Sequence, residues 1–184
     1  MLKRTLARVA YFATMIALGF AIYYYFLGSA HLQNKADNDY KNLSTQALFA
    51  ATLPNENGIN QAISQYKGKI IILNFWATWC SPCREEMPEL SALHTEYRSK
   101  NVIVLGIAID EPNAVKTFTQ STPVSYPVVI SENEGMELAG SLGNSKDILP
   151  YTVIINTEGT VVKTHFGRIN KPLIEATLNT LLNH

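Results

Sequence analysis

The feature that most constrains the fold is a short, almost uninterrupted apolar segment at residues 69–77. Six of the seven residues at 70–76 are apolar, and three of those are isoleucine. A strand with apolar residues on both faces is typical of the interior of a sheet that helices cover on both sides. The segment therefore predicts the central strand of an α/β domain.

The pattern on either side of this strand supports an α/β domain. Apolar residues recur at helical spacing after it and predict a helix from Pro82 to about Arg98. The other predicted elements are a strand at 48–53 that ends at Pro54, a strand at 102–109, a helix at 114–120, an extended segment at 126–130, a helix at 136–142, a hairpin with strands at 151–156 and 161–166, and a helix at 171–182.

Composition narrows the class of protein. A length of 184 residues with 47% hydrophobic residues suits one domain and a short appendage. The 15 basic and 15 acidic residues balance, so nothing points to nucleic-acid binding. Two cysteines exclude a multi-disulfide scaffold and cannot supply the four ligands of a structural zinc site by themselves.

The first part of the chain has the character of a membrane anchor. Residues 9–27 carry no charge, and a helix of that length spans roughly 28 Å, close to the thickness of a bilayer core. Lys3, Arg4 and Arg8 precede it, which predicts a cytoplasmic amino terminus and an exported body. A cleaved signal peptide is the alternative, because small residues at 28–30 offer a processing site, and it exports the body equally.

The two cysteines, Cys80 and Cys83, open the predicted helix after the central strand. A helix N terminus stabilises a thiolate, and a second thiol about one turn later can resolve a mixed disulfide. Pro82 fixes the backbone where the helix starts, at no cost in hydrogen bonding. The alternative is that both cysteines are buried as small hydrophobic residues.

The segment around the cysteines, Asn74-Phe75-Trp76-Ala77-Thr78-Trp79-Cys80-Ser81-Pro82-Cys83-Arg84-Glu85-Glu86-Met87-Pro88, closely resembles the active-site segment of the thioredoxin superfamily. It is most similar to the TlpA/ResA-like branch of membrane-tethered extracytoplasmic thioredoxins, which includes the thioredoxins of cytochrome c maturation. Residues 106–110 and 149–152 add weaker support, so the likeness extends from about residue 48 to the carboxyl terminus.

The resemblance implies a role for several residues. Cys80 is the nucleophile, Cys83 is the resolving thiol with which it forms a redox-active disulfide, and Trp79 belongs to the docking surface. Pro150 matches the family's cis-proline, which presents backbone to an extended substrate segment; the alternative is an ordinary loop proline. Glu86 matches an acidic residue that tunes thiol ionisation and proton transfer.

Two positions depart from the pattern of cytosolic thioredoxins. Asn74 stands where they have a buried aspartate, and Gly106 stands near the position of its lysine partner. The usual buried acid–base pair is therefore absent, which makes Glu86 the better candidate for the group that transfers protons. The alternative for Glu86 is a solvated helix carboxylate beside Glu85.

The sequence thus predicts a thioredoxin-like α/β fold, a central mixed sheet flanked by helices, with one N-terminal transmembrane helix. The predicted segments are a cytoplasmic amino terminus at 1–8, an anchor at 9–27, a linker at 28–46 and the thioredoxin-like domain at 47–184. The resemblance places the protein in the cytoplasmic membrane with the domain on the periplasmic or extracytoplasmic side.

The expected activity is thiol-disulfide exchange, in the direction that reduces disulfides of exported proteins. The resemblance implies apocytochrome c as a substrate and a membrane electron donor of the DsbD or CcdA type. No cofactor or metal is expected. A disulfide oxidase or isomerase on the same fold remains open, as does a copper chaperone that uses Cys80, Cys83 and a histidine such as His165.

Overall fold

The computed structural model of the chain describes residues 11–25, 39–132 and 134–183, and the chain divides into two units, Met1–Asp39 and Tyr40–His184. In the first unit, residues 11–25 form a helix whose side chains are all exposed. No helix within the described residues has both the length and the apolar character needed to cross a membrane. The predicted segment at 1–8, both ends of 9–27 and residues 28–38 of the predicted linker lie outside the described residues.

The second unit contains seven strands and five α-helices in its described part. In chain order these are α1 (Gln46–Ala50), β1 (Thr52–Pro54), β2 (Asn60–Ala62), β3 (Ile70–Trp76), α2 (Ser81–Tyr97), β4 (Val102–Ala108), α3 (Pro112–Ser121), β5 (Val128–Ile130), α4 (Gly135–Ser141), β6 (Tyr151–Ile155), β7 (Val161–Phe166) and α5 (Lys171–Leu182).

Five strands form the main sheet in the order β5-β4-β3-β6-β7, with β3 at its centre. The pairs β3–β4 and β4–β5 are parallel, whereas β6 is antiparallel to both β3 and β7. All seven residues of β3 are buried, as the apolar run predicts. The predicted mixed sheet is therefore confirmed.

Helices cover both faces of this sheet. On one face, a hydrophobic cluster joins the even-numbered residues of β3 to α2 and α5, and this cluster contains both cysteines. On the other face, a second cluster joins the odd-numbered residues of β3 to α1, α4 and the first hairpin. The alternation of side chains along β3 therefore serves two separate cores.

The predicted strand at 48–53 is wrong in its first part. Residues 46–50 form α1, and the strand β1 begins only at Thr52. The segment Gln46-Ala47-Leu48-Phe49-Ala50 lacks β-branched residues and contains good helix formers, so local propensity favours a turn of helix that buries Leu48. The first β-branched residue of this region, Thr52, is where the strand starts.

Candidate active site

The two cysteines lie where the central strand passes into α2. A turn follows β3, closed by the N–H of Cys80, which donates to the carbonyl of Ala77 at 3.2 Å. Cys80 is the N-cap residue of α2, and its Sγ accepts a hydrogen bond of 3.3 Å from the N–H of Cys83. Because N–H groups at a helix N terminus stabilise an anion, this position favours a thiolate at Cys80 in the reduced protein.

Cys80 and Cys83 form a disulfide with an S–S distance of 1.99 Å and a Cα–Cα distance of 5.3 Å. Cys83 is fully buried, whereas Cys80 keeps 5% of its surface exposed. Trp79, the residue before Cys80, is 68% exposed. A partner that approaches the disulfide therefore meets Cys80 and the indole of Trp79 before it can reach Cys83.

A carboxylate from the neighbouring strand fixes the turn that precedes Cys80. The Oδ2 atom of Asp110 accepts hydrogen bonds from the N–H of Thr78 at 2.9 Å and from its hydroxyl at 2.5 Å. The Oδ1 atom accepts the N–H of Glu111 at 2.9 Å. Asp110 thus ties the loop after β3 to the loop after β4, and this contact holds the turn on which Trp79 is exposed.

Sequence reasoning placed Asp110 in a weakly matching motif but missed its contact with Thr78. Both residues follow the ends of strands that are parallel and adjacent. Polar residues at the carboxyl ends of neighbouring parallel strands meet at one edge of the sheet, so this topology was the signal that could have identified the pair.

Pro150 precedes β6, and the Leu149–Pro150 peptide bond is cis, so the conformation that the resemblance implies is confirmed. Pro150 is buried, and its carbonyl accepts the N–H of Gly167 at 2.9 Å. Leu149 packs against both hydrophobic clusters, one of which contains Cys80 and Cys83. The residue before the cis-proline therefore contacts the core that holds the cysteine pair.

Glu86 is fully buried, so the alternative of a solvated helix carboxylate is wrong. Its Oε1 accepts a hydrogen bond of 2.7 Å from the side-chain amide of Asn74, and its Oε2 accepts the N–H of Ile169 at 2.7 Å. The neighbouring Glu85 is exposed and forms an ion pair of 2.9 Å with Arg168. Two adjacent glutamates on one helix therefore have opposite environments.

Burial raises the pKa of Glu86 to about 7. The hydrogen bonds from Ile169 and Asn74 and the charge of Arg168 all act to lower this pKa, but removal of the carboxylate from water outweighs them. A carboxyl group with a pKa near 7 can take up and release a proton at neutral pH.

Asn74 links Glu86 to the sheet. Its amide also donates to the hydroxyl of Thr152 at 3.0 Å, and Thr152 is its partner in the β3–β6 register. On its other side the register partner of Asn74 is Gly106. The two positions that depart from the pattern of cytosolic thioredoxins are thus register partners, a neutral amide beside a position without a side chain.

The described residues that could bind a metal do not form a cluster. In the part of the chain that the structure describes, no group of three or more histidine, cysteine, aspartate and glutamate side chains is arranged to hold a metal ion. His165 lies on β7, opposite Thr152 of β6, and it is half-buried. Its burial and the charge of Lys163 lower its pKa.

Comparison with known proteins agrees with the fold and with thiol-disulfide oxidoreductase activity. Residues 45–164 match the AhpC/TSA family. The thiol-disulfide oxidoreductase ResA of Halalkalibacterium halodurans is 30% identical over 175 residues, which cover 94% of this chain and 92% of that protein.

Two solved structures extend this similarity to three dimensions. A thiol:disulfide interchange protein of the thioredoxin family from Chlorobium tepidum has a TM-score of 0.64 at 25% identity, over 72% of this chain and 92% of that one. The pneumococcal exposed lipoprotein thioredoxin of Streptococcus pneumoniae has a TM-score of 0.62 at 28% identity, over 71% of this chain and 98% of that one. The fold is thioredoxin-like, and the chain belongs to the AhpC/TSA family as a thiol-disulfide oxidoreductase related to ResA.

Proposed function

We propose that the protein reduces disulfide bonds in exported proteins through a cycle of the Cys80–Cys83 pair. The observation that carries this proposal is the position of the pair, with Cys80 partly exposed at the N terminus of α2 and Cys83 buried behind it. In this arrangement one thiol can be reached by a protein substrate and the other only by its partner.

The reaction is two successive thiol-disulfide exchanges. The Cys80 thiolate attacks one sulfur of the substrate disulfide, forms a mixed disulfide and releases the other sulfur as a thiolate. The Cys83 thiol then loses its proton and attacks Cys80, which releases the second substrate sulfur and forms the Cys80–Cys83 disulfide. Two electrons pass to the substrate, and they must be restored by a reductant before the next cycle.

Glu86 is proposed to accept the proton that Cys83 loses. It lies three residues after Cys83, so both side chains occupy the same side of α2. A carboxyl group with a pKa of about 7 is divided between its two protonation states at neutral pH, so it can either accept or donate a proton.

Trp79 and Pro150 are proposed to bind the substrate. The exposed indole beside Cys80 offers an apolar surface, and Leu149, the residue before the cis-proline, packs against the hydrophobic cluster that contains the pair. An extended segment of substrate would pair with this backbone and present its disulfide to Cys80.

We place the domain outside the cytoplasm, tethered by an anchor at residues 9–27. The described part of this segment, residues 11–25, is a helix with exposed apolar side chains, and basic residues precede it. Outside the cytoplasm thiols are not kept reduced, so the cycle requires a membrane electron donor, for which the family resemblance suggests the DsbD or CcdA type. The same resemblance suggests apocytochrome c as a substrate.

Substrate trapping tests this proposal. In a Cys83→Ala variant the mixed disulfide cannot resolve, so Cys80 should stay joined to exported proteins, which are then identified by mass spectrometry. The matched control is Cys80→Ala, which keeps the buried thiol but should trap nothing. Equal yields from both variants, or no trapped exported protein, would refute the scheme.

The midpoint potential of the pair tests the direction of transfer. A reductase should have a value nearer to the roughly −270 mV of thioredoxin than to the roughly −120 mV of the oxidant DsbA. A potential near the second value would indicate a disulfide oxidase on the same fold. Equilibration of the full chain with glutathione or dithiothreitol buffers gives this value directly.

A further inference from the structure

Four buried side-chain atoms have no hydrogen-bond partner among the described residues, and one of them, Nε2 of His165, lies apart on the edge strand β7. The other three lie on the sheet face below α2. They are Oδ1 of Asn74, Nε1 of Trp76 and the hydroxyl of Tyr126. Asn74 and Trp76 are fully buried, and Tyr126 is 4% exposed. Buried polar atoms are almost always paired, and three unpaired ones would remove a large share of the net stability of a typical domain. The three atoms therefore require a common explanation.

Two of the three side chains meet at Gly106. A Cβ atom on Gly106 would lie 3.0 Å from Nε1 of Trp76 and 3.1 Å from Cε2 of Tyr126. The absence of a side chain on Gly106 therefore lets the indole N–H and the ring edge of Tyr126 next to its hydroxyl approach one point above the sheet. Asn74 is the register partner of Gly106 on β3, so its amide projects from the same face.

Two of these side chains, those of Asn74 and Tyr126, also interact with Glu86. The amide of Asn74 bonds Oε1 of Glu86, and Oδ1 is the unpaired end of that same amide. Burial and the charge of Glu86 together raise the pKa of the Tyr126 hydroxyl, which keeps it protonated as a donor. The group contains two donors, the indole N–H and the phenol O–H, and one acceptor next to a carboxylate.

We propose that Trp76, Tyr126 and Asn74 form a binding site for one internal water molecule beside Glu86, opened by the glycine at position 106. A water accepts two hydrogen bonds and donates two, which matches two donors and one acceptor, and buried waters typically make about three bonds. Tyr126 and Trp76 act as positioning residues, because they hold the water against the carboxyl group.

The inference rests on the proposed proton role of Glu86 and adds to it. A water that donates to the carboxylate stabilises its charged form, so the site keeps Glu86 able to release its proton although no bulk solvent reaches it. The other groups that face Glu86 are Arg168 and the Ile169 N–H from the segment after β7, Tyr126 from the segment before β5, and Cys83 on its own helix.

The indole N–H of Trp76 gives a direct test. The chain has two tryptophans, so ¹⁵N-tryptophan labelling of the full chain in mild detergent yields two indole signals, of which exposed Trp79 serves as the solvent-exchange reference. We expect a dipolar cross-peak between a long-lived water and the Trp76 indole proton. It should disappear in Gly106→Ala and persist in the control Gly140→Ala, whose added Cβ meets nothing within 4 Å. No such cross-peak in the wild-type chain would overturn the proposal.

A second variant protects the test against misfolding of Gly106→Ala. Tyr126→Phe keeps the ring and removes only the hydroxyl, so the water loses one partner and the pKa of Glu86 should rise by about one unit. Carboxyl ¹³C titration measures this, with exposed Glu85 on the same helix as the internal control. An unchanged Glu86 titration would refute the role of the water. A wild-type chain that shows the water contact but reduces no protein disulfide would leave this inference intact and refute the proposed function.

Discussion

The buried carboxyl group of Glu86 should make the stability of the domain depend on pH. Its pKa rises from 4.5 to about 7 on folding, so between these values the folded state binds more protons than the unfolded state. Stability must then fall as pH increases through this window. A shift of this size corresponds to about 3 kcal/mol of unfolding free energy, present below pH 4.5 and lost by about pH 7.

Replacement of Glu86 by glutamine removes this titration and should keep the shape of the site. The glutamine carbonyl can accept the N–H of Ile169, but its NH₂ group would face the NH₂ group of Asn74. Asn74 can turn its amide over, because no protein donor holds its Oδ1 among the described residues and the water proposed at that point can accept from the NH₂ group that takes its place. We therefore expect Glu86→Gln to be close to wild type in stability at pH 4 and more stable than wild type at pH 8.

Urea unfolding of the oxidised full chain, followed by tryptophan fluorescence from pH 4 to pH 8, measures the effect. The difference in unfolding free energy between Glu86→Gln and wild type should change by about 3 kcal/mol over this range. The control Glu85→Gln removes an exposed carboxylate that is ion-paired with Arg168. Its unfolding free energy should therefore differ from that of wild type by less than about 1 kcal/mol at every pH. Parallel pH profiles for wild type and Glu86→Gln would refute the reasoning.

Three further results are expected at the site. Asp110→Ala should lower the unfolding free energy by about 1–3 kcal/mol in urea, because two groups of Thr78 lose their acceptor, whereas the neighbouring Glu111→Ala should change it little. Trp79→Ala should raise KM for a protein disulfide and leave the rate with a small aromatic disulfide unchanged, since only the protein needs a docking surface. Glu86→Gln should flatten the pH dependence of Cys80–Cys83 disulfide formation near pH 7, measured by stopped-flow fluorescence.

The elements that dominate the fold were predictable because their signals are local. The apolar run predicted β3, and helical spacing of apolar residues predicted α2 to within one residue at each end. The predicted closing helix at 171–182 has the observed bounds. By contrast, α1 has only five residues, too few for a periodic pattern, and the apolar character of Leu48 and Phe49 suits a strand equally well.

The site was predictable where the chain itself brings residues together. Cys80, Cys83 and Glu86 lie within two turns of α2, so their order in the sequence nearly fixes their spacing. The pKa of Glu86 was not accessible in the same way, because it depends first on burial of the carboxyl group in the folded domain and then on hydrogen bonds from Ile169, 83 residues further along the chain, and from Asn74 on β3. The contact of Thr78 with Asp110 also spans two strands and becomes visible only with the parallel register.

This division between local and distant contacts separates two properties of the site. The position of Glu86 relative to Cys83 is set by α2, whereas its proton affinity is raised by burial and lowered by hydrogen bonds from the strand below and from the segment before α5. In cytosolic thioredoxins the buried acid belongs to the strand, so position and proton affinity change together. With the acid on the helix and only a neutral amide on the strand, substitutions at Asn74 can adjust the affinity of Glu86 for a proton without moving it away from Cys83, from which it is proposed to accept a proton.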